Sequence, residues 1–397
     1  MKSVGPHLQP KRPFEVFAVE HDAIQISWSA LPEQRMTFEV DGRLFEVEAI
    51  PPDWFRRRFG RRAPEGTGGP GCLSVSGLEP STGYEILLSG PGFHRRRVAA
   101  CRTLAAPPGR LMAKIATISD CHIGEHRLGA LQRLHDPTPL PVGLDPYPVR
   151  CARAAITESE EWGASMIVAK GDLTQEGETR EIRDVVELLR GANVPVMVAL
   201  GNHDVRGTAD AAAELRDAGF IVADSAEYMD LPGLRIVLSH TPLPDRHAGR
   251  MRRDEVDAVA TLAGSTKDPV LVVLHHPLRR WPVETHYPPS LRWRDSRRLA
   301  KGLARANGRS LVVAGHTHRN RRYRVGGVVV AEVGSTKDYP GQWAGYSVYE
   351  GGLRQVVRRV EHRDAVAWTE MTARAMGGLW GLWSPGRLED RCWTFDR

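Results

Sequence analysis

No apolar run in the 397 residues approaches the roughly 20 consecutive residues that cross a bilayer. Residues 1–13 are polar and lack the apolar centre of a secretion signal. Both absences predict a cytoplasmic protein without a membrane partner. Cysteine is scarce: there are five, an odd number, with no CxxC spacing. Reduced thiols are therefore expected, with Cys72 and Cys101 the pair that would bridge if any did. A strong charge imbalance is also missing, since 54 basic against 48 acidic residues give a net charge of only +6. Arginines cluster at 56–58, 95–97 and 319–324, yet no RRM, KH or zinc-finger pattern accompanies them. Solvated arginine faces are expected, with no clear nucleic-acid partner. Hydrophobic content of 41% with scattered Gly and Pro excludes a disordered or fibrous chain.

What is present is a set of short apolar runs that each end in metal-ligating residue types. Leu311-Val312-Val313-Ala314 leads into Gly315-His316-Thr317-His318, and Ile115-Ala116-Thr117-Ile118-Ser119 into Asp120-Cys121-His122. Met166-Ile167-Val168-Ala169 precedes Gly171-Asp172, and Val196-Met197-Val198-Ala199-Leu200 precedes Gly201-Asn202-His203-Asp204. Leu271-Val272-Val273-Leu274 ends in His275-His276. Buried strands of this kind deliver loop residues to the carboxyl edge of a sheet, where open α/β sheets place their ligands. Residues two apart in extended chain point the same way, so His316 and His318 are expected to share one site, as are Asp120 and His122, with Cys121 facing away. One such Asp alone is an ordinary helix cap and one GNHD an ordinary turn. Five strand ends in one chain need a common cause.

Between these strands, helical patterns are predicted at 150–162, 179–191, 209–219, 253–263 and 296–307, an alternation that argues a layered α/β fold. The length of the chain predicts two or three domains. Ahead of this region, residues 15–104 read as short strands: Ala23 to Trp28 alternates, and 37–47 reads as a hairpin turning at Asp41-Gly42. Leu78-Glu79-Pro80-Ser81-Thr82-Gly83-Tyr84, with Trp28 on an earlier strand, resembles a fibronectin type III sandwich with Tyr84 at its corner. An Arg- and Gly-rich insert at 54–71 departs from that pattern, and 105–109 reads as a linker.

The order DxH, GD, GNHD, H, GHxH resembles the calcineurin-like metallophosphoesterase superfamily over about residues 114–361. The resemblance implies an α/β fold whose core is a four-layer α/β/β/α sandwich at 110–361. It is preceded by the small all-β, fibronectin III-like sandwich at 1–108 and followed by a Trp-rich tail at 362–397 packed on the catalytic domain, with a helix at 365–376. Strands at 322–325, 328–333 and 346–349 are expected in the second sheet. Two divalent transition-metal ions (Mn, Fe, Zn or Co) are implied, in keeping with oxygen and imidazole ligands without thiolate. By resemblance Asp120, His122 and His318 hold one ion, Asn202, His275 and His316 the other, and Asp172 bridges them. His275 is preferred over His276 from a Val-x-x-His-x-Pro pattern. Two such ions acidify a shared water and stabilise in-line displacement at phosphorus.

His203 is then the candidate catalytic acid, and Asp204, also placed in the catalytic set, supports its loop. Substrate contacts are expected from Asn202, His203 and Arg319. Many relatives carry GDxxD, whose second Asp pairs with the GNH histidine; here position 175 is Gln, which leaves His203 less biased toward its cation. Gln175 also departs from the Tyr of purple acid phosphatases. The strings match best the cyclic-nucleotide and glycerophosphodiester phosphodiesterase branch. Loop 124–149, with His126 and His135, is a candidate lid, and loop 278–294, with Trp281, His286, Tyr287 and Trp293, a candidate specificity loop. The expected function is a phosphodiesterase on a small phosphodiester or cyclic nucleotide. The alternatives are a phosphomonoesterase and a non-catalytic scaffold for a protein partner, and self-association is open through the Trp-rich tail.

Overall fold

The computed structural model describes residues 13–51, 68–128, 134–135 and 145–396. Most of the insert at 54–71 and most of the 124–149 loop, with the side chain of His135, lie outside the described residues.

Two mixed sheets stack face to face. The first runs in the order Ile221–Val222, Val196–Ala199, Met166–Lys170, Leu111–Ile118, Gln342–Tyr349, Gly352–Arg359 and Cys392–Asp396. Its first four strands are parallel and the rest antiparallel. The second runs Ala226–Leu231, Leu234–Ser239, Val270–Val273, Ser310–Ala314, Val328–Glu332 and Arg321–Val325, parallel in its middle and antiparallel at both edges. The central strands are near-continuous Val, Ile and Leu because both of their faces are covered. Met166 and Val168 of one sheet meet Leu271, Val273, Leu311 and Val313 of the other in the layer between the sheets. Their neighbours Ile167 and Ala169 turn to helices Tyr147–Glu161 and Thr179–Arg190, while Val270, Val272 and Val312 turn to helices Arg253–Gly264 and Trp293–Ala306. The result is four layers, α/β/β/α. Each buried Val or Leu in these layers contributes about 1.5–3 kcal/mol.

Helix Thr179–Arg190 buries Ile182, Val185, Leu188 and Leu189 at helical spacing and stops at Gly191. Helix Ala211–Asp217 is capped by Asp210, which accepts the N–H of Ala213. Helix Tyr147–Glu161 begins three residues before the expected start, since Pro148 fits the first turn, where its missing N–H costs nothing.

The amino-terminal unit is all-β and antiparallel. A three-stranded sheet (Phe14–Val19, Ala23–Trp28, Gly71–Ser76) accompanies a four-stranded one (Arg43–Glu48, Arg35–Val40, Gly83–Gly90, Phe93–Arg102). The hairpin turns at Asp41 and Gly42, whose φ values of 54° and 70° give the turn that matches strand twist. The Tyr84 hydroxyl accepts the N–H of Glu79 at 2.8 Å, and Trp28 packs on Phe38 with ring centroids 5.1 Å apart. This unit is tied to the far edge of the first sheet. Gln25 exchanges hydrogen bonds with the Arg359 backbone (2.9 Å each way), Arg391 donates to Glu15 (2.5 Å) and to the Phe17 carbonyl (2.9 Å), and Arg358 pairs with Glu20.

Two expectations change here. The strand expected at 346–349 in the second sheet is the longer Gln342–Tyr349 and joins the first sheet, antiparallel to Leu111–Ile118. Alternation alone carries no information about which partner a strand chooses. The carboxyl-terminal stretch also does more than lie on the domain: helix Arg363–Thr372 stacks Trp368 on Tyr147 at 3.8 Å, and strand Cys392–Asp396 extends the first sheet. The five cysteines are free. No helix among the described residues is long and apolar enough to cross a membrane.

Candidate metal centre

Five parallel strands, three from the first sheet and two from the second, point their carboxyl ends at one place. Asp120 follows Leu111–Ile118, Asp172 follows Met166–Lys170, Asn202 follows Val196–Ala199, His275 follows Val270–Val273, and His316 follows Ser310–Ala314. The loops turn sharply as they leave the sheets. Asp120, His122, Asp172, His316 and His318 all have positive φ, between 49° and 68°. For such residues this costs about 1–2 kcal/mol each and persists only where surrounding contacts enforce it. Two glycines make the approach possible. A Cβ on Gly171, at φ 86°, would sit 2.6 Å from His275 Nδ1, and one on Gly315 would collide with Ser119 and Asp120.

The sharp turns bring His316 and His318 to one cluster but place them in different imidazole pairs. His318 Nε2 faces His122 Nε2 at 3.2 Å, and His316 Nδ1 faces His275 Nε2 at 3.1 Å. Asp120 stands with the first pair, 3.4 Å from His318 Nε2. Asp172 Oδ2 lies between the pairs, 3.2 Å from His275 Nε2 and 3.8 Å from His122 Nε2. Ligand atoms of Asp120, His122 and His318 fall within 4.8 Å of one another, as do those of Asp120, Asp172 and His275. The side-chain oxygen of Asn202 is buried with no hydrogen-bond partner among the described residues.

These residues fit divalent cations. Two nitrogens each about 2.1 Å from one ion stand about 3.0–3.4 Å apart, the spacing of both imidazole pairs. An orphaned buried carbonyl oxygen such as that of Asn202 costs about 1–3 kcal/mol unless something binds it. Carboxylate, amide and imidazole donors without thiolate suit Mn, Fe, Co or Zn.

The local field agrees. Burial would raise the Asp120 and Asp172 carboxyls, yet His318 and His275 beside them hold both below the ordinary carboxylate range. Burial would lower His318 and His275, but the neighbouring carboxylates lift them to about 10 and about 9. Their partners go the other way: burial, with His203 and Lys337 adding to it, lowers His122 far below its usual value, and burial, with His275 adding to it, lowers His316 to about 3. Lys170, fully buried below the carboxylates, has an Nζ without a partner among the described residues; burial lowers it to about 8 against the pull of Asp120.

The outer contacts were mostly invisible in the sequence. His318 Nδ1 donates to Asp338 at 2.5 Å, and Asp338 is held by Lys337 (2.8 Å), which also reaches Glu125 (2.6 Å). Trp368 donates to the Lys337 carbonyl at 3.0 Å, and Trp380 sets its ring against His318 at 6.0 Å. Gln175 plays two parts. Its side chain meets His122 Nδ1 at 3.0 Å, and its backbone carbonyl accepts from His203 Nδ1 at 2.6 Å. The expected side-chain pairing of position 175 with His203 is therefore replaced by a main-chain one. Asp204 accepts from Gly201 N–H, Thr174 N–H and the Thr174 hydroxyl (2.8, 2.8 and 2.9 Å), clamping two loops together. Arg319, expected at substrate, is buried and committed to Glu332 at 2.7 Å and to the face of Trp383. His276 does not turn away from the cluster as strand alternation predicts; its ring lies 4.4 Å from that of His316, with its nitrogens on the Thr241 hydroxyl and the His247 carbonyl. His203 is half-buried, its ring 4.6 Å from His122.

The sequence profile of the calcineurin-like phosphoesterase family matches residues 113–320. A probable cyclic nucleotide phosphodiesterase of Rhodococcus erythropolis is 29% identical over 175 residues, 43% of this chain and 56% of that protein. A cAMP/cGMP dual specificity phosphodiesterase of Mycobacterium tuberculosis is 30% identical over 179 residues, 43% of this chain and 54% of that protein. The chain thus spans just over half the length of the curated relatives it matches. Among solved structures, a dimetal phosphatase from Danio rerio superposes with a TM-score of 0.47 at 17% identity, covering 64% of this chain and 98% of that one. With over half of its residues inside the family match, the chain belongs to the calcineurin-like phosphoesterase family.

Proposed function

We propose that the chain is a dinuclear-metal phosphodiesterase acting on a small phosphodiester or cyclic nucleotide. The observation that carries this reading is the pair of imidazole couples, 3.2 and 3.1 Å across, with the Asp172 carboxylate between them. Asp120, His122 and His318 would hold one ion, Asn202, His275 and His316 the other, and Asp172 would touch both. Bound ions would supply an acidified water and charge stabilisation at phosphorus. The protein's own residues do the rest. His203, fixed by the Gln175 carbonyl at Nδ1, keeps Nε2 on the side of Arg206, 3.4 Å away, and is the group that would protonate a departing ester oxygen. Asp204 positions the GNHD loop and does not touch substrate. Tyr287, 69% exposed, packs on His247, whose ring is 6.5 Å from that of His203, so an aromatic or sugar leaving group would meet Tyr287.

The names of the two curated relatives favour diesters over monoesters. The amino-terminal unit is inferred to be fibronectin type III-like, on its three-plus-four strand arrangement and the Tyr84 hydrogen bond. Its bounds are taken as 1–108, those of the phosphoesterase unit as 110–361, and 362–397 as a segment completing that unit. A reducing, cytoplasmic location fits five free cysteines. The test is turnover of a bis-aryl phosphate, a mono-aryl phosphate and cyclic AMP by the metal-loaded chain, with metal counted per chain. Two ions and a diester preference are expected. A strong monoester preference overturns the substrate assignment, and one ion or none overturns the dinuclear one.

A further inference from the structure

A second, strongly basic cleft of about 460 Å³ lies outside the metal centre, lined by Arg250, Arg252, Arg253, Arg292, Arg294 and Arg298 together with Trp293. None of the candidate ligands, nor His203, lines it. Its size falls in the range of small-molecule sites. The one carboxylate in its lining, Asp295, is buried and already accepts the Met251 N–H at 3.3 Å. Three of the six guanidinium groups have carboxylate partners: Arg252 with Asp254 and Glu255, both at 3.2 Å, Arg253 with Asp257 at 3.9 Å, and Arg298 with Asp295 at 3.5 Å. Arg250, Arg292 and Arg294 are exposed and have no carboxylate partner among the described residues.

Like charges gathered in this way repel one another, and the chain holds them together with main-chain bonds. Arg292 N–H donates to the Gly249 carbonyl at 3.2 Å and Arg250 N–H to the Thr241 carbonyl at 2.9 Å, so the two walls are pinned before any ligand arrives. A solvated surface would let such arginines diverge; a preformed concave cluster is suited to an anion with several charges. Planar guanidinium groups match phosphate oxygens two at a time. Trp293 adds an apolar wall, with Arg297 over its ring at 5.3 Å.

We propose that this cleft binds a small polyphosphate, of the size and charge of a nucleoside di- or triphosphate, independently of the chemistry at the metal centre. The loop that forms one wall continues into the centre: a Cβ on Gly249 would strike the His276 ring, and His247 accepts from His276 through its carbonyl. An occupied cleft would therefore stiffen the segment next to the centre without entering it.

The test is calorimetric titration of the full chain, metal-loaded and metal-stripped, with a non-hydrolysable adenosine triphosphate analogue, inorganic phosphate and adenosine as probes. The expected result is binding of the triphosphate in both forms, at least about tenfold tighter than phosphate or adenosine. Arg292→Ala/Arg294→Ala should weaken it about a hundredfold, at roughly tenfold for each guanidinium removed. Arg292→Lys/Arg294→Lys should restore only part of that. Both positions are exposed, and an unchanged melting curve will show that the fold is intact. Asp172→Asn should leave the binding unchanged. The proposal is overturned if the wild type does not bind the analogue, if the double variant binds as well as the wild type, if Asp172→Asn abolishes binding, or if Arg96→Ala/Arg97→Ala on the amino-terminal unit weakens it equally.

Discussion

The two imidazole groups of the centre are built alike at their inner ends and differently at their outer ends. In the group of Asp120, His122 and His318, the outer ring nitrogens meet side chains: Asp338 at 2.5 Å from His318 Nδ1 and Gln175 at 3.0 Å from His122 Nδ1. In the group of His275 and His316, they meet main-chain carbonyls: Lys170 at 2.8 Å and Pro289 at 3.1 Å. A carboxylate behind an imidazole fixes its tautomer and raises its basicity; a carbonyl fixes the tautomer with less charge. One half of the centre is therefore open to tuning by side-chain substitution. The other is fixed by backbone and can be altered only through its ligands or the loop carrying Pro289.

Removing Asp172, the carboxylate whose Oδ2 stands between the two imidazole pairs, should erase the contrast. Asp172→Ala is expected to lower diesterase turnover by about a thousandfold or more, on the order of 4 kcal/mol of lost stabilisation, and to weaken metal uptake in both groups. Stripping the wild type with a chelator should have the same effect on turnover, reversed by Mn, Fe, Co or Zn. Activity that survives either treatment would overturn the metal-dependent reading, and a wild type with neither metal uptake nor turnover would return the chain to the scaffold reading. Next in size is Asp338→Asn, which should weaken one ion by about 10- to 100-fold and leave the other unchanged. Titration of the metal-free protein with cobalt, followed by its visible spectrum, should then show two separated steps. A parallel loss in both steps would mean that Asp338 holds the fold rather than His318, and rescue by Asp338→Glu would argue against that.

The inner half of this picture was legible in the sequence because each candidate ligand sits where an apolar run meets glycine or a polar turn, as in Val312-Val313-Ala314-Gly315-His316. The grouping of the ligands was not legible from spacing. His316 and His318 fall in different groups while Asp120 and His122, equally two apart and also at positive φ, share one, so spacing alone does not assign the partners. The outer half depends on contacts across long stretches of chain. Asp338 lies beyond the residues matched to the family and reads locally as part of a polar loop; only its burial beside Lys337, Glu125 and the Trp368 helix gives it an imidazole to hold. The same limit explains the strands. Residues 346–349 read as a strand, but the partner of the longer Gln342–Tyr349 is chosen by the edge left open beside Leu111–Ile118, and Cys392–Asp396 is too short to advertise itself.

Two smaller effects sharpen the comparison. Gln175→Ala should cost the His122 side less than Asp338→Asn costs His318, because a neutral hydrogen bond to an imidazole is worth about 0.5–1.5 kcal/mol, roughly two- to tenfold in affinity. His203 should be spared, since it uses the Gln175 carbonyl, which the substitution retains. A fall in turnover much larger than the fall in metal affinity would mean that the side chain serves His203 after all.

Trp380 gives the finest distinction. Among the described residues its ring contact with the centre is to the tunable group, edge to face with His318 at 6.0 Å, and it comes from helix Leu379–Trp383 in the carboxyl-terminal segment. An aromatic contact of this geometry contributes about 0.5–1.5 kcal/mol, so Trp380→Ala should weaken the His318-side ion about two- to tenfold and Trp380→Phe hardly at all. The competing account is that Trp380 forms a wall for substrate. In that case the substitution would raise KM for an aryl diester and leave the cobalt titration untouched, whereas a wall for the ligand shifts the same cobalt step that Asp338→Asn shifts and moves KM little. Measuring both quantities on the same two variants separates a side chain that steadies the metal from one that receives the ester.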